Sequence, residues 1–161
     1  MKDVISLNLD LTQALTITIG GQRLAIPSTN LREILDPLPR TRVPGASASV
    51  PWVLNVRGAV VPLAELRIPL GLDLPPPGSE ATRRFVVLEV DVAGDRAIVA
   101  IIADSVHDVT SIPPGAIEPL PPASRFPSGF LTGIWRNSDG FVLLPNLSAI
   151  FTDLVRRSAA A

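Results

Sequence analysis

Apolar and polar positions alternate through much of the chain. Leu15, Ile17 and Ile19 are separated by threonines, Gly20-Gly21 follows, and Arg23 to Ile26 returns. That pattern predicts a β-hairpin. A second hairpin is predicted over Phe85 to Val92 and Arg96 to Ala103, closed by Ala93-Gly94-Asp95. Its return strand is almost wholly apolar, so both of its faces should be buried. A third runs from Leu131 to Arg136 and from Phe141 to Leu144, with Asp139-Gly140 as its turn signal. Between the first two lies Val53 to Leu63, two β-type runs broken by Arg57-Gly58. Gly58 can take positive φ at little cost, which makes a sharp corner and puts Arg57 on it. An arginine in so apolar a stretch calls for a carboxylate or several carbonyls around it. Pro62 cannot donate to a ladder, so its strand should end there or lie on an edge.

Helical spacing is rarer. Asn30 and Glu33 suit a capping box for a short helix, with Leu31, Ile34 and Leu35 on one face and Pro37 and Pro39 as the stop. After Pro145, residues Leu147, Ile150, Phe151, Leu154 and Val155 predict a C-terminal amphipathic helix, with Arg156-Arg157 at its dipole end. Thr41 to Val43 and Val106 to Ile112 add strands. Residues 1–13 read as an N-terminal extension in which Leu7, Leu9 and Leu11 alternate, and 158–161 as a frayed tail. Residues 73–82, with Pro75-Pro76-Pro77-Gly78, read as an exposed linker between two halves of one domain spanning 14–157. Residues 116–130 read as a long surface loop. About nine short strands with frequent turn signals favour small β-barrels over a sandwich or βαβ units. No internal sequence repeat is evident.

Composition narrows the function. The chain has 161 residues, 47% hydrophobic and 18% charged, which suits one folded domain or two closely packed small ones. Aromatics make up 4%, Tyr is missing, and the net charge is -1. Stacking on bases and phosphate neutralisation are both disfavoured, so no nucleic-acid partner is expected. The lack of Cys and the single His exclude thiolate and multi-histidine metal sites, and no cofactor is expected. No apolar run approaches the roughly 20 residues of a membrane span, and the start lacks a signal-peptide pattern. The expectation is a soluble, cytoplasmic protein without direct membrane insertion. The large apolar fraction points to surfaces meant for partners. Asp104, Ser105, His107 and Asp108 supply triad residue types, but a strand puts Ser105 and His107 on one face and the acids on the other. Pro119-Leu120-Pro121-Pro122 fits a minimal PxxP ligand and equally a stiff loop. Trp52 reads as core packing or as an anchor for a partner.

Four landmarks, in order, carry a resemblance to a known family. They are Leu31-Arg32-Glu33-Ile34; Asn55-Val56-Arg57-Gly58 followed by Val60-Val61-Pro62-Leu63 and Glu65-Leu66-Arg67; Ala103-Asp104-Ser105-Val106-His107-Asp108-Val109; and Leu131-Thr132-Gly133 leading through a hairpin to the last helix. Residues 14–155 resemble the CheW family, adaptors that join chemoreceptors to the histidine kinase CheA in bacterial chemotaxis arrays. The resemblance implies a mostly β fold of two intertwined SH3-like barrels sharing an apolar core, with no enzyme activity. It implies two partners: the regulatory domain of a CheA-type kinase, and the cytoplasmic tip of a chemoreceptor in a groove between the barrels. Carried over by position, Leu31, Glu33, Arg57, Val86 and Val87 fall at or near that groove, and Val60 and Val109 at positions tied to adaptor and kinase coupling. Glu33 and Arg57 also read as an ion pair that holds the corner, and Leu31, Val86 and Val87 also read as ordinary core residues. The chain departs from the family at Glu65, where Asp is usual, at Pro51-Trp52, at Pro145-Asn146, and in its Pro-rich loops. Two other classes stay open: an adaptor of the same fold in a pilus-motility pathway, and a small-barrel enzyme or ligand-binding domain, for which no convergent polar cluster is evident.

Overall fold

The computed structural model describes residues 13–160 apart from 122–123, 125 and 128. The expected N-terminal extension, with Leu7, Leu9 and Leu11, therefore lies outside the described residues, as does Pro122. Twelve strands and one α-helix follow in order: β1 (Gln13–Ile19), β2 (Gln22–Pro27), β3 (Leu31–Leu35), β4 (Arg40–Arg42), β5 (Trp52–Val56), β6 (Ala59–Ala64), β7 (Arg84–Val92), β8 (Asp95–Ala103), β9 (Ser105–Ser111), β10 (Ile117–Glu118), β11 (Leu131–Asn137), β12 (Gly140–Pro145) and α1 (Leu147–Ala160). They form two curled six-stranded sheets. One has the order β10-β11-β12-β2-β1-β9 and the other β3-β7-β8-β6-β5-β4.

Each hairpin predicted from sequence is present, and the turns explain why. Gly20 and Gly21 have φ of 57° and 78°, Arg57 and Gly58 of 51° and 86°, and Ala93 and Gly94 of 51° and 91°. Two consecutive positive φ values match the right-handed twist of the flanking strands. At the third hairpin the turn is Ser138-Asp139, because Asn137 pairs with Gly140, and Asn137 Oδ1 accepts from the Asp139 amide at 2.9 Å. β8 carries no exposed residue from Ala97 onward, as its apolar run requires.

The strand order reveals a relation hidden in the sequence. The chain divides at 73–82 into two halves of six strands, and β1 to β6 correspond in topology to β7 to β12. Each sheet takes its central hairpin from one half and the other four strands from the other half. The meander β4-β5-β6 joins β8 in parallel, just as β10-β11-β12 joins β2. β3 leaves its own hairpin to pair with β7, and β9 leaves its own to pair with β1. Both of these exchanged edge strands bear a bulge against their partners. The linker at 73–82 thus separates the halves of the chain but not the two barrels, since β6 and β7 lie in the same sheet.

Three apolar clusters result. Leu54, Val61, Leu63, Phe85, Val87, Ala100 and Ile102 fill one barrel, and a smaller group around Ala14, Ala25, Ile112 and Val142 fills the other. The opposite faces of both hairpins meet in a larger shared core that includes Ile17, Leu24, Leu88 and Ile101. A two-residue period sends alternate side chains of one strand into different clusters. Helix α1 closes the shared core with Leu147, Ile150, Phe151 and Leu154. Its start is capped where Asn146 Oδ1 accepts from the Ala149 amide at 3.1 Å. The helix continues through Ala160, past the point where fraying was expected.

Three local expectations are corrected. Residues Leu31–Leu35 form strand β3, not a helix; only Ser28–Asn30 make a single 3-10 turn. The capping partners are engaged elsewhere, since Asn30 donates to the Glu89 carbonyl at 2.9 Å and Glu33 binds Arg57. Pairing with β7 outweighs local helical preference. Second, β6 runs on past Pro62 to Ala64 and lies between β5 and β8. Val56 and Ala59 close the hairpin as a hydrogen-bonded pair, so Pro62, opposite Val53, turns its nitrogen away from β5. Pairing with β8 begins only at Leu63, so no ladder bond is lost. Third, the expected loop at 116–130 contains β10, which pairs with β11. Gly133 permits that close approach: a Cβ there would sit 2.8 Å from the Ile117 methyl and 2.9 Å from the Glu118 carbonyl oxygen.

Candidate functional site

The Arg-Gly corner and β3 build a polar feature on the rim of one barrel. Asn55 Oδ1 accepts from the Gly58 amide at 2.8 Å, which holds the turn and orients Arg57. The Arg57 guanidinium meets the Glu33 carboxylate in a bidentate pair, with Nη2 to Oε2 at 2.8 Å and Nη1 to Oε1. β3 and the β5–β6 turn are not neighbours in the sheet, so the pair exists because the sheet curls. The hydrogen bond from Arg57 holds the Glu33 carboxyl below its ordinary value, with the charges of Arg57 and Arg32 acting the same way against partial burial. Glu33 in turn raises the Arg57 pKa.

The exposure differs from the sequence expectation. Arg57 is not sheltered: its side chain is 75% exposed, while that of Glu33 is 24% exposed. The two-residue turn projects Arg57 outward and leaves the strand residue as the shielded partner. The bulge at Arg32 places a second set of charges nearby. Glu89 accepts from Arg32 Nη1 at 2.8 Å and from Arg96 Nε at 3.1 Å, and these bonds, Arg96 first, lower its pKa.

The other expected positions separate into two groups. Val60 and Val109 are exposed, at 75% and 58%, and belong to different sheets. Val60 stands two residues past Gly58, beside the Arg57 corner. Val86 and Val87 are buried, Val87 directly opposite Glu33 and Val86 opposite Ile34. They lie beside β3 on the paired strand, with Val86 pointing into the shared core and Val87 into the core of one barrel, and neither presents a surface. Leu31 is half-buried against the shared core. Ile34, whose spacing suits a helix face, is instead an exposed strand residue. Reading 31–35 with a period of two would have placed it outward with Arg32.

β3 and β9, the two exchanged strands, face each other across a shallow cleft of about 470 Å³ lined by Ile34, Thr82, Arg84, Ser105, Val106 and His107. Phe141, also exposed and under the Arg136 guanidinium at 5.3 Å, was not singled out by the sequence. Trp52 is half-buried with Arg40 over its ring at 4.0 Å.

The triad residue types are not assembled. His107 Nε2 lies 2.7 Å from Thr18 Oγ1 and 3.3 Å from Ser105 Oγ, while buried Asp104 accepts from the Gly20 amide at 2.7 Å. Among the described residues no group of three or more His, Cys, Asp or Glu side chains is arranged to hold a metal ion. No helix among them is long and apolar enough to cross a membrane.

Comparison with known proteins agrees with this architecture. Residues 13–155 match the sequence model of the CheW-like domain. The chain is 29% identical over 157 residues to the probable chemotaxis protein CheW of Rhizobium etli, covering 97% of each. It is 30% identical over 143 residues to the chemotaxis protein CheW of Helicobacter pylori, covering 89% of this chain and 83% of that one. Protein PilI of Pseudomonas aeruginosa is 28% identical over 127 residues, covering 78% and 67%. The crystal structure of the scaffolding protein TtCheW from Thermoanaerobacter tengcongensis superimposes with a TM-score of 0.75 at 21% identity, covering 87% of this chain and 92% of that one. With the paired barrels and the Arg-Gly corner in place, these matches assign the chain to the CheW-like domain family.

Proposed function

We propose that this protein is a non-catalytic adaptor that couples chemoreceptors to a CheA-type histidine kinase. The observation that carries the reading is the exposed Arg57–Glu33 pair. It stands at the rim of a barrel in a CheW-like domain, beside exposed Val60 and next to Ile34 of the inter-barrel cleft. An exposed ion pair adds little to stability, so its geometry is free to serve recognition. In this reading the receptor tip lies along the cleft between β3 and β9 and engages Glu33, Arg57 and Leu31. Val86 and Val87, buried on the neighbouring strand β7, hold β3 in place through the cores. The kinase regulatory domain engages Val60 and Val109. The mechanism is geometric: an adaptor that contacts both partners biases the kinase by as much as its contacts differ between kinase states. The site of action is the cytoplasmic face of membrane-bound receptor arrays.

The test is a binding titration against a CheA-type regulatory domain and a receptor-tip helical hairpin. Arg57→Glu places a second carboxylate against Glu33. It should abolish receptor binding while circular dichroism and the melting temperature stay near wild type. Normal receptor capture by the folded variant would overturn the assignment. A second reading, an adaptor of the same fold in a pilus-motility pathway, is favoured by the likeness to PilI. Side-by-side titrations with regulatory domains of both kinase types would separate the two.

A further inference from the structure

The junction between the barrels holds a second polar feature, remote in kind from the rim pair. A cavity of about 190 Å³ is lined by three arginines, Arg40, Arg67 and Arg83, together with Trp52, Glu65 and Asp104. That is several times the space one water needs. Asp104 joins β8 to β9, where the chain passes from one sheet to the other, while Arg40 and Trp52 belong to β4 and β5. The acids are already engaged. Glu65 Oε2 accepts from Arg67 Nη2 at 3.2 Å, and Asp104 Oδ2 accepts from the Gly20 amide at 2.7 Å. Among the described residues Arg40 and Arg83 have no carboxylate within ion-pair distance; Arg40 is held over Trp52 instead. Among the described residues the Nε atoms of Arg67 and Arg83 are buried without a hydrogen-bond acceptor.

Three arginines against two acids among the lining residues leave a positive excess, which favours an anionic occupant. Guanidinium forks match the oxygens of a tetrahedral oxyanion, and partial burial strengthens that attraction over its value in water. We infer that this cavity is a binding site for a small oxyanion of the phosphate class, taken as the free ion or as the phosphoryl group of a small molecule. Arg67 and Arg83 donate from the walls and Arg40, braced by Trp52, closes the mouth. An occupant there ties together segments of both sheets.

The experiment is calorimetric titration of the whole protein with inorganic phosphate and with methyl phosphate at constant ionic strength, with chloride as the control. Thermal unfolding is followed in parallel, since a ligand that binds only the folded state raises the melting temperature saturably. Phosphate also stabilises proteins without binding, by exclusion from their surfaces, so variants decide the matter. Arg83→Met should weaken phosphate at least tenfold and remove the saturable part of the thermal response. Arg40→Met, at an exposed residue, should weaken it in the same direction and keeps the test open if Arg83→Met fails to fold. Comparable binding of methyl phosphate identifies a phosphoryl group as sufficient, and binding of inorganic phosphate alone identifies the free ion. Absence of saturable binding, or an equal thermal response in wild type and a folded variant, would overturn the inference.

Discussion

Arg57 shows how one residue's role depends on the backbone beneath it. At φ of 51° it occupies a region that non-glycine residues avoid, and the Asn55–Gly58 bond helps keep it there. Its guanidinium then meets Glu33 without being buried. Because the folded Glu33 carboxyl titrates below its ordinary value of 4.5, the pair's contribution is fully present above the unfolded value and is lost as pH falls through the lowered one. A carbon-detected NMR titration should therefore place the Glu33 midpoint below 4.5, and Arg57→Gln should move it upward. An unchanged midpoint in the variant would show that Arg57 is not what lowers it. The apolar neighbours Val86 and Val87 illustrate the reverse case: position in a motif did not reveal that their side chains point into the cores.

Among the elements, the β1–β2 turn is the most constrained. Gly20 has positive φ, donates to the Asp104 carboxylate, and lies so close to the linker that a Cβ would fall 2.3 Å from the Asp73 carbonyl oxygen. Gly21, its neighbour in the same turn, has open space around it. Gly20→Ala combines left-handed strain with a backbone clash and should cost about 2 kcal/mol or more. That corresponds to a fall in melting temperature of roughly 4–8 °C for a chain of this size, read by calorimetry. Gly21→Ala carries only the strain and should cost less. The sequence marked both glycines as a turn, but only the packing against Asp73 distinguishes them. β3 makes the same point about strands. Its helix-like signals are local, while its pairing with β7 draws on residues some fifty positions away.

For the molecule as a whole, the exchange of hairpins between the two halves is the governing feature. Neither half can complete a barrel, because each barrel's central hairpin comes from the other half. Fragments 1–77 and 78–161, divided within the exposed linker, should each lack cooperative unfolding when alone. When mixed they should recover strand-type circular dichroism and a single melting transition. A cooperatively folded isolated half would contradict the exchanged topology. The same arrangement sets the function proposed above, since the cleft between β3 and β9 exists only where the two exchanged edges face each other.

The order of apolar and polar residues was enough to locate the hairpins, the buried return strand and the C-terminal helix, because those follow from local periodicity and from glycines that allow a tight turn. The motif residues were enough to suggest the family and the Arg57–Glu33 pairing. Tertiary structure alone decided which strands pair, because chain crossings between the halves leave no mark in a local pattern. It also decided that 31–35 is a strand, that Pro62 sits harmlessly inside a sheet, and which valines face solvent. Three arginines far apart in the sequence meet in one cavity for the same reason: only the folding of both barrels brings them together.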